Sequence, residues 1–152
     1  LVVLLDTHAP PKPAQSMMEM PEIPEGCNVI GVGIDQIEVK RVQASMERHG
    51  AHFLDKIFPS KEQEYCRDKA NAGPHYAARF AAKEAVSKAL GTGFGKEFGW
   101  LDAEILNGEA GEPQIHFSPH AKELLTHKGA TRALVSLTHL ESIASSIVIL
   151  IK

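Results

Sequence analysis

The sequence has 152 residues, of which 43% are hydrophobic and 23% are charged, with a formal net charge of -3 at pH 7. These values describe one globular domain that is long enough to bury a core. The small net charge, with basic residues spread along the chain, does not favour nucleic-acid binding, and the apolar run at 1–5 is too short to span a membrane. Cys27 and Cys66 lack metal-ligand spacing, as do the histidines, which predicts reduced thiols, no zinc site and a cytoplasmic protein.

Residues 1–26 are predicted to form a flexible N-terminal arm. Prolines at positions 10, 11, 13, 21 and 24 deny this segment the hydrogen bonds of a helix or a central strand. The chain does not begin with methionine, and the methionines at positions 17, 18 and 20 are candidate initiation residues. The folded domain is therefore expected to comprise residues 27–152, and the arm is expected to be dispensable.

The domain begins with a predicted strand, Asn28–Asp35, which contains β-branched residues and glycines. A helix is predicted over 38–48, since apolar residues recur there on one side. Ser60 followed by Gln63 fits a capping box that opens a second helix, which ends near Lys69.

A long alanine-rich helix is predicted from Pro74 to Leu90. After it come two short strands joined by a turn, a helix that Ser118 caps, and two apolar strands at the C-terminus. The predicted bounds of these later elements are 101–106, 114–117, 118–127, 131–138 and 142–151. Because strands and helices do not alternate regularly, we expect an α+β fold, in which an antiparallel sheet packs against the long helix.

The long helix carries a carboxylate among several cations. Glu84 and Lys88 are four residues apart and share one face, and Arg79 and Lys83 place two further positive charges nearby. The helix leads into the turn Gly91-Thr92-Gly93. This spacing has two explanations: a solvated surface ion pair, or a site for a metal ion and a polyphosphate. A second acidic motif that meets the helix would favour the site.

That second motif surrounds Asp35, which is predicted to follow the end of the first strand. A carboxylate in that position can enter a cleft, and Gly31 and Gly33 would let a ligand approach the backbone. An Asp at a strand end is also a common turn former or helix cap. Asp35 and Glu84 are candidate metal ligands only if the fold brings the two motifs together.

Taken together, the motifs resemble the holo-acyl-carrier-protein synthase branch of the 4′-phosphopantetheinyl transferases. The resemblance covers the chain from about Val29 to the C-terminus. Its strongest part is the long-helix sequence RFAAKEAVSKALGTG, followed by the earlier pattern GxDxxExxR. Two smaller matches occur downstream in the expected order, Gly111-Glu112-Pro113 and Ser136-Leu137-Thr138-His139.

The resemblance implies transfer of the 4′-phosphopantetheine group from coenzyme A to a serine of apo-acyl carrier protein, releasing 3′,5′-ADP. It implies that Asp35 and Glu84 bind Mg²⁺, with Mn²⁺ as an alternative because it suits the same oxygen ligands. Lys88 would bind a phosphate oxygen and take part in catalysis. The proton of the serine would pass either to Glu84 or to a water molecule that the two carboxylates hold on the metal.

Other positions of the motifs imply binding roles. Arg79 and His139 match positions directed toward the nucleotide end of coenzyme A, although a strand-end His bonded to the backbone is the plainer explanation of His139. Gly111 and Pro113 either contact adenine or only shape a hairpin. The Gly91–Gly93 turn either presents backbone N–H groups to the ligand or only ends the helix.

Arg41 matches a position that the family offers to the acidic carrier protein, with Lys40 beside it. The resemblance also implies a homotrimer with active sites between subunits, in which Asp35 and Glu84 face another chain. The alternative is a non-catalytic coenzyme A-binding or scaffold module of the same fold, which loss of Asp35 or Glu84 would favour. Both residues are present.

Overall fold

The computed structural model describes residues 25–152, so the predicted arm and its candidate initiation residues lie outside the described residues, apart from Glu25 and Gly26. These described residues fold into two antiparallel sheets, with strand orders β1-β5-β4 and β2-β3, and four α-helices. The elements are β1 (Val29–Glu38), α1 (Val39–Ile57), α2 (Ser60–Arg67), α3 (Ala72–Leu90), β2 (Ala103–Asn107), β3 (Pro113–Phe117), α4 (Pro119–His127), β4 (Arg132–His139) and β5 (Ile143–Ile151). The predicted α+β class and the antiparallel sheet are confirmed.

The long helix α3 packs directly on strand β1. A β carbon at Gly31 would overlap the carbonyl oxygen of Ala89, and one at Gly33 would overlap that of Ala85. The two glycines therefore let the strand backbone touch the helix backbone, and the alanines of α3 make the same approach possible from the other side. The sequence predicts a close backbone approach both for the strand and for the helix. The space beside the two glycines is occupied by α3, however, and not by a ligand.

The core lies in two clusters on either side of this contact. One joins α3 to α4, β5 and the segment before β2, and includes Val86, Phe98, Leu125 and Leu150. The other joins the first half of α3 to α1 and α2 around Phe58, with further buried residues Val39, Val42, Cys66 and Tyr76. With neighbours on several sides, α3 is buried along most of its length.

Most element predictions agree with the structure to within a few residues. Helix α1 continues to Ile57 instead of ending at Arg48, but Gly50 interrupts it with a left-handed φ of 51°. The cap at Ser118 is confirmed, because its side chain accepts a hydrogen bond from the N–H of Ala121. The capping box at Ser60 is wrong: Pro59 precedes the helix, and the Gln63 amide donates to the carbonyl of Phe58 and to Asp55.

Candidate functional site

The two acidic motifs meet where β1 crosses the second half of α3. The Lys88 ammonium lies 2.8 Å from Oδ1 of Asp35 and also donates to the carbonyl of Ile34 at 3.0 Å. The sequence suggested that Asp35 follows the end of the strand, and this is wrong. Strand β1 continues to Glu38, and Asp35 pairs in register with Ser146 of β5. The alternation of β1 points its side chain toward α3, on the side of Gly31 and Gly33.

Glu84 completes this group of charges. It lies one helical turn before Lys88 and is half-buried. Burial raises the pKa of the Glu84 carboxyl, the negative charge of Asp35 raises it further, and Lys88 opposes both effects. Within residues 25–152 the Glu84 carboxylate has no hydrogen bond or ion pair, whereas Asp35 has Lys88. In this part of the chain, Glu84 is thus left without a direct partner beside a second carboxylate.

The pair has the donor chemistry of a divalent-cation site. Two like charges this close repel each other, and a cation between them would remove the repulsion that raises the pKa of Glu84. The described residues contain no cluster of three or more His, Cys, Asp or Glu side chains suited to a metal. Mg²⁺ does not require such a cluster, because it binds through one or two carboxylates together with water and substrate phosphates. Asp35 and Glu84 therefore fit Mg²⁺ when a phosphate-bearing substrate supplies further oxygens.

Arg79 lies elsewhere, on the side of α3 that faces β2. Its guanidinium is buried and donates to the carbonyls of Ile105 and His75 and to Oδ1 of Asn107, the last at 2.8 Å. It also lies over the ring of Tyr65, with Cζ 4.1 Å from the ring centroid. Within the described part of the chain its hydrogen bonds go to neutral acceptors only. A buried guanidinium whose hydrogen bonds all go to neutral groups is costly, so this position favours an anion.

His139 and Arg79 line one open cavity of about 180 Å³. His139 is the last residue of β4, as predicted, and its ring packs edge-on against that of His75, with centroids 4.8 Å apart. Gly111 and Pro113 line the same cavity, which favours the ligand-contact interpretation of that turn without excluding its part in the hairpin.

Lys83 does not belong to either group, although the sequence placed it beside Glu84. Its side chain is 0% exposed, and its ammonium lies 3.0 Å from Oε2 of Glu62. It also donates to the carbonyls of Trp100 and Ala103, while Oε1 of Glu62 accepts from the N–H of Ile105 at 2.6 Å. Burial raises the pKa of Glu62 and lowers that of Lys83. This pair joins α2 and α3 to β2 and has a structural role.

The turn after α3 ends the helix. Gly91 has a left-handed φ of 71°, and its N–H donates to the carbonyl of Lys88, while the N–H of Thr92 donates to that of Ser87. These two N–H groups are thus occupied by the helix itself, in the manner of a C-terminal cap. The structure supports that interpretation of the turn over one in which both groups face a ligand.

Arg41 lies near the start of α1 and is exposed. The buried face of the helix there is formed by Val39 and Val42. Lys40 lies 3.5 Å from Glu38 in a well-exposed pair, so part of its charge is compensated. Among the described residues no ion pair involves Arg41. Its charge is therefore available to a partner.

Three residues on the Arg79 side of α3 were not predicted from the sequence. Tyr65 lies under the guanidinium, Asn107 accepts from it, and His75 contacts both Arg79 and His139. For His75 a signal exists, because it precedes Arg79 by one helical turn. Asn107 and Tyr65 come from other elements and have no comparable signal.

The fold and site define a class of protein: an α+β domain with two neighbouring carboxylates on one side of a helix and a pocket of basic side chains on the other. In the part of the chain that the structure describes, no helix combines the length and apolar character needed to cross a membrane. Residues 31–142 match the model of the 4′-phosphopantetheinyl transferase superfamily.

Similar proteins agree with that match. The chain is 42% identical over 117 residues to the holo-[acyl-carrier-protein] synthase of Protochlamydia amoebophila, covering 77% of this chain and 93% of the relative. It is 44% identical over 119 residues to that of Chlamydia felis, covering 78% and 93%. The crystal structure of Helicobacter pylori holo-[acyl-carrier-protein] synthase in complex with coenzyme A superposes with a TM-score of 0.70 at 31% identity, covering 78% of this chain and 98% of that one. This chain belongs to the 4′-phosphopantetheinyl transferase superfamily, which confirms the resemblance found in the sequence.

Proposed function

We propose that this chain is a holo-acyl-carrier-protein synthase, which transfers 4′-phosphopantetheine from coenzyme A to a serine of apo-acyl carrier protein and releases 3′,5′-ADP. The family, and the holo-[acyl-carrier-protein] synthases that this chain matches over 93% of their length, support this transferase activity. The observation that carries the proposal in this chain is the meeting of Asp35, Glu84 and Lys88 across the contact between β1 and α3.

Asp35 and Glu84 would hold a magnesium ion, and Mn²⁺ suits the same oxygens. When bound, the cation neutralises charge on the pyrophosphate oxygens and stabilises the departing nucleotide phosphate. Lys88 fixes the orientation of Asp35 and keeps a cation within reach of a phosphate oxygen.

Glu84 is better placed than Asp35 to accept the serine proton. Burial raises the pKa of its carboxyl toward the working pH, which suits a general base. Its carboxylate has no hydrogen bond within residues 25–152 that a substrate hydroxyl would have to replace.

The buried guanidinium of Arg79 would bind the nucleotide end of coenzyme A together with His139. We assign the 3′-phosphate to this pocket, because a phosphate monoester supplies the anion that the neutral partners of Arg79 do not. Gly111 and Pro113 would line the adenine side of the cavity.

The two half-sites face away from each other, and we infer that they combine between subunits of a homotrimer. Nine positions separate Arg79 from Lys88, roughly two and a half turns, so their side chains leave α3 in opposite directions. One bonds to β2 and the other to β1. A coenzyme A molecule would then place its nucleotide on one subunit and its pyrophosphate on the next.

An exposed apolar stripe on the face of the sheet opposite the Asp35 side chain supports an oligomer. On the face of the sheet opposite α3, Ile34 is 64% exposed and Leu134 is 47% exposed. Val32, Ile147 and Ile149 continue the stripe across β1, β5 and β4 through the strand register. A contiguous apolar patch of this kind indicates a covered surface in the native assembly.

Arg41 would dock the carrier protein, whose acidic helices the exposed guanidinium complements. The non-catalytic alternative is less favoured, because a scaffold has no need for a half-buried Glu84 carboxylate without a direct partner among the described residues. Cytoplasmic localisation stays a prediction; the unpaired thiols of Cys27 and Cys66 support it.

The experiment is a release assay for 3′,5′-ADP with purified protein, coenzyme A, Mg²⁺ and apo-acyl carrier protein. We expect product only when all components are present, together with a carrier mass increase equal to one phosphopantetheine group. A carrier whose acceptor serine is replaced by alanine is the matched control. Coenzyme A binding without release of 3′,5′-ADP under these conditions would favour the scaffold instead.

A further inference from the structure

The cavity around Arg79 gathers several basic side chains beside one aromatic ring. Arg79 lies over Tyr65 at 4.1 Å, and the Lys69 ammonium lies 4.2 Å from the centroid of the same ring. His75 packs edge-on against Tyr65 and against His139, with centroid distances of 6.1 Å and 4.8 Å. None of the described residues that line the cavity carries a carboxylate. The site is therefore rich in positive charge before any ligand binds.

His75 and Lys69 have no place in the proposed function, and of these two His75 is the one that lines the cavity. It comes from the first turns of α3 and lines the cavity itself. Its backbone carbonyl accepts from Arg79, which ties its position to the guanidinium. The cations that face it are Lys69, which follows α2, Arg79 of α3 and the titratable His139 of β4.

We propose that His75 is a further binding residue of the nucleotide pocket, and that it takes up a proton when a phosphate monoester enters. The proposal rests on the proposed function for the identity of that monoester, the 3′-phosphate of coenzyme A. His75 is thereby a proton-linked part of substrate binding, distinct from the chemistry at Asp35 and Glu84.

The direction of the linkage follows from the surroundings. Burial lowers the pKa of the His75 imidazole, and the charges of His139, Arg79 and Lys69 lower it further, so His75 is neutral at neutral pH without a ligand. A phosphate dianion in the same cavity reverses the sign of the local field and favours the imidazolium, whose N–H groups can donate to phosphate oxygens. Binding then consumes a proton, and affinity rises as the pH falls toward 6.

The direction of the proton change also distinguishes a contribution of His75 from one of the ligand. A phosphate monoester has a second pKa near ~6, and cations lower it, so the ligand by itself releases protons on binding. Net proton uptake has to come from the protein. We expect uptake of the order of half a proton per site near pH 7, as for a histidine whose pKa is moved across that pH.

The test is calorimetric titration of the full chain with 3′,5′-ADP, without metal, in buffers of different ionisation enthalpy at pH 7. We expect proton uptake for the unaltered protein, and much less with 5′-AMP, which lacks the 3′-phosphate. His75→Phe keeps a ring against Tyr65 and His139, and His75→Gln keeps a hydrogen-bonding group. Both should lose most of the uptake and bind 3′,5′-ADP roughly tenfold more weakly at pH 6.5, the worth of one hydrogen bond to a charged group.

His127→Gln, on an exposed position of α4 that does not line the cavity, is the matched control and should behave as the unaltered protein. Proton uptake that persists in both His75 variants but disappears in His139→Gln would overturn the proposal. The proposal would also fail if the unaltered protein bound 3′,5′-ADP without proton uptake, or did not bind it. The release assay run in parallel keeps the two questions apart. Normal uptake without transfer would refute the proposed function and leave the role of His75 in place.

Discussion

Two lysines of the same helix pair with carboxylates, and the two pairs have different tasks. Lys83 and Glu62 are both 0% exposed and are bonded to backbone groups of β2 and of the segment that leads into it. Lys88 and Asp35 are 30% and 16% exposed, and Glu84 lies next to them without a partner of its own. The buried pair is closed to solvent and can only hold elements together. The partly open pair is incomplete, and that incompleteness is what a ligand can use.

The largest effect is expected from breaking the buried pair. Lys83→Met leaves the Glu62 charge without its counter-ion in the interior and should lower the free energy of unfolding by ~3–5 kcal/mol. Lys88→Met should lower it by no more than ~1 kcal/mol, because that pair is open to water. Urea unfolding followed by circular dichroism measures both variants.

A double variant sharpens this comparison. Adding Glu62→Gln to Lys83→Met removes the stranded charge, and we expect part of the lost stability to return. Equal losses for Lys83→Met and Lys88→Met would mean that burial does not distinguish the two pairs.

Removing the Glu84 carboxylate should lower turnover without impairing folding. Glu84→Gln is nearly isosteric, and we expect kcat to fall by at least ~10²-fold, the lower range for a general base. The free energy of unfolding at neutral pH should stay the same or increase, since a raised pKa means that ionised Glu84 costs stability. Steady-state kinetics and urea unfolding give the two quantities.

Asp35→Asn should lower turnover similarly and weaken the dependence on Mg²⁺. Glu123→Gln, at an exposed position of α4, is the matched control for loss of one negative charge. Near-normal turnover in both Asp35→Asn and Glu84→Gln would remove the mechanism proposed here.

Metal binding should depend on pH through Glu84. Its folded-state pKa is raised, so the folded protein keeps this proton to a higher pH than the unfolded chain does. Above that pKa the ionised carboxylate costs stability, and a divalent cation should offset this cost. We expect Mg²⁺ to raise the melting temperature at pH 8 and to lose this effect as the pH falls through the Glu84 pKa. Glu84→Gln should show little response at either pH in a thermal-shift titration.

A smaller effect is expected outside both pairs, at the carrier-docking position. Arg41→Glu should weaken binding of acyl carrier protein about tenfold, mostly through slower association, and leave coenzyme A affinity unchanged. Titrating each substrate separately measures this. Equal losses for the two substrates would assign Arg41 to the nucleotide site or to the fold.

The smallest effect is expected from the N-terminal arm, for which truncation is the test. A chain that starts at Met20 should keep its melting temperature, oligomeric state and transfer activity, because every motif of the family lies after that residue. Size-exclusion chromatography with light scattering and the release assay check the three properties. Inactive monomers would show that the arm contributes to a subunit interface.

Much of the architecture was predictable from local patterns. The alanines of α3, the glycines of β1 and the cap at Ser118 are short-range signals whose physical meaning does not depend on the rest of the chain. The motifs also indicated Asp35, Glu84 and Lys88 as one group, because a specific order of residues is a stronger signal than any single spacing.

Only the tertiary structure separated the cations of α3 from one another. Spacing along a helix predicted that Arg79 and Lys83 lie near Glu84, but α3 is buried on several sides, and each side has a different neighbour. Lys83 meets Glu62 of α2, Arg79 meets Asn107 of β2, and Lys88 meets Asp35 of β1. Which lysine is structural and which faces a ligand depends on contacts between residues far apart in sequence, and local periodicity carries no information about them.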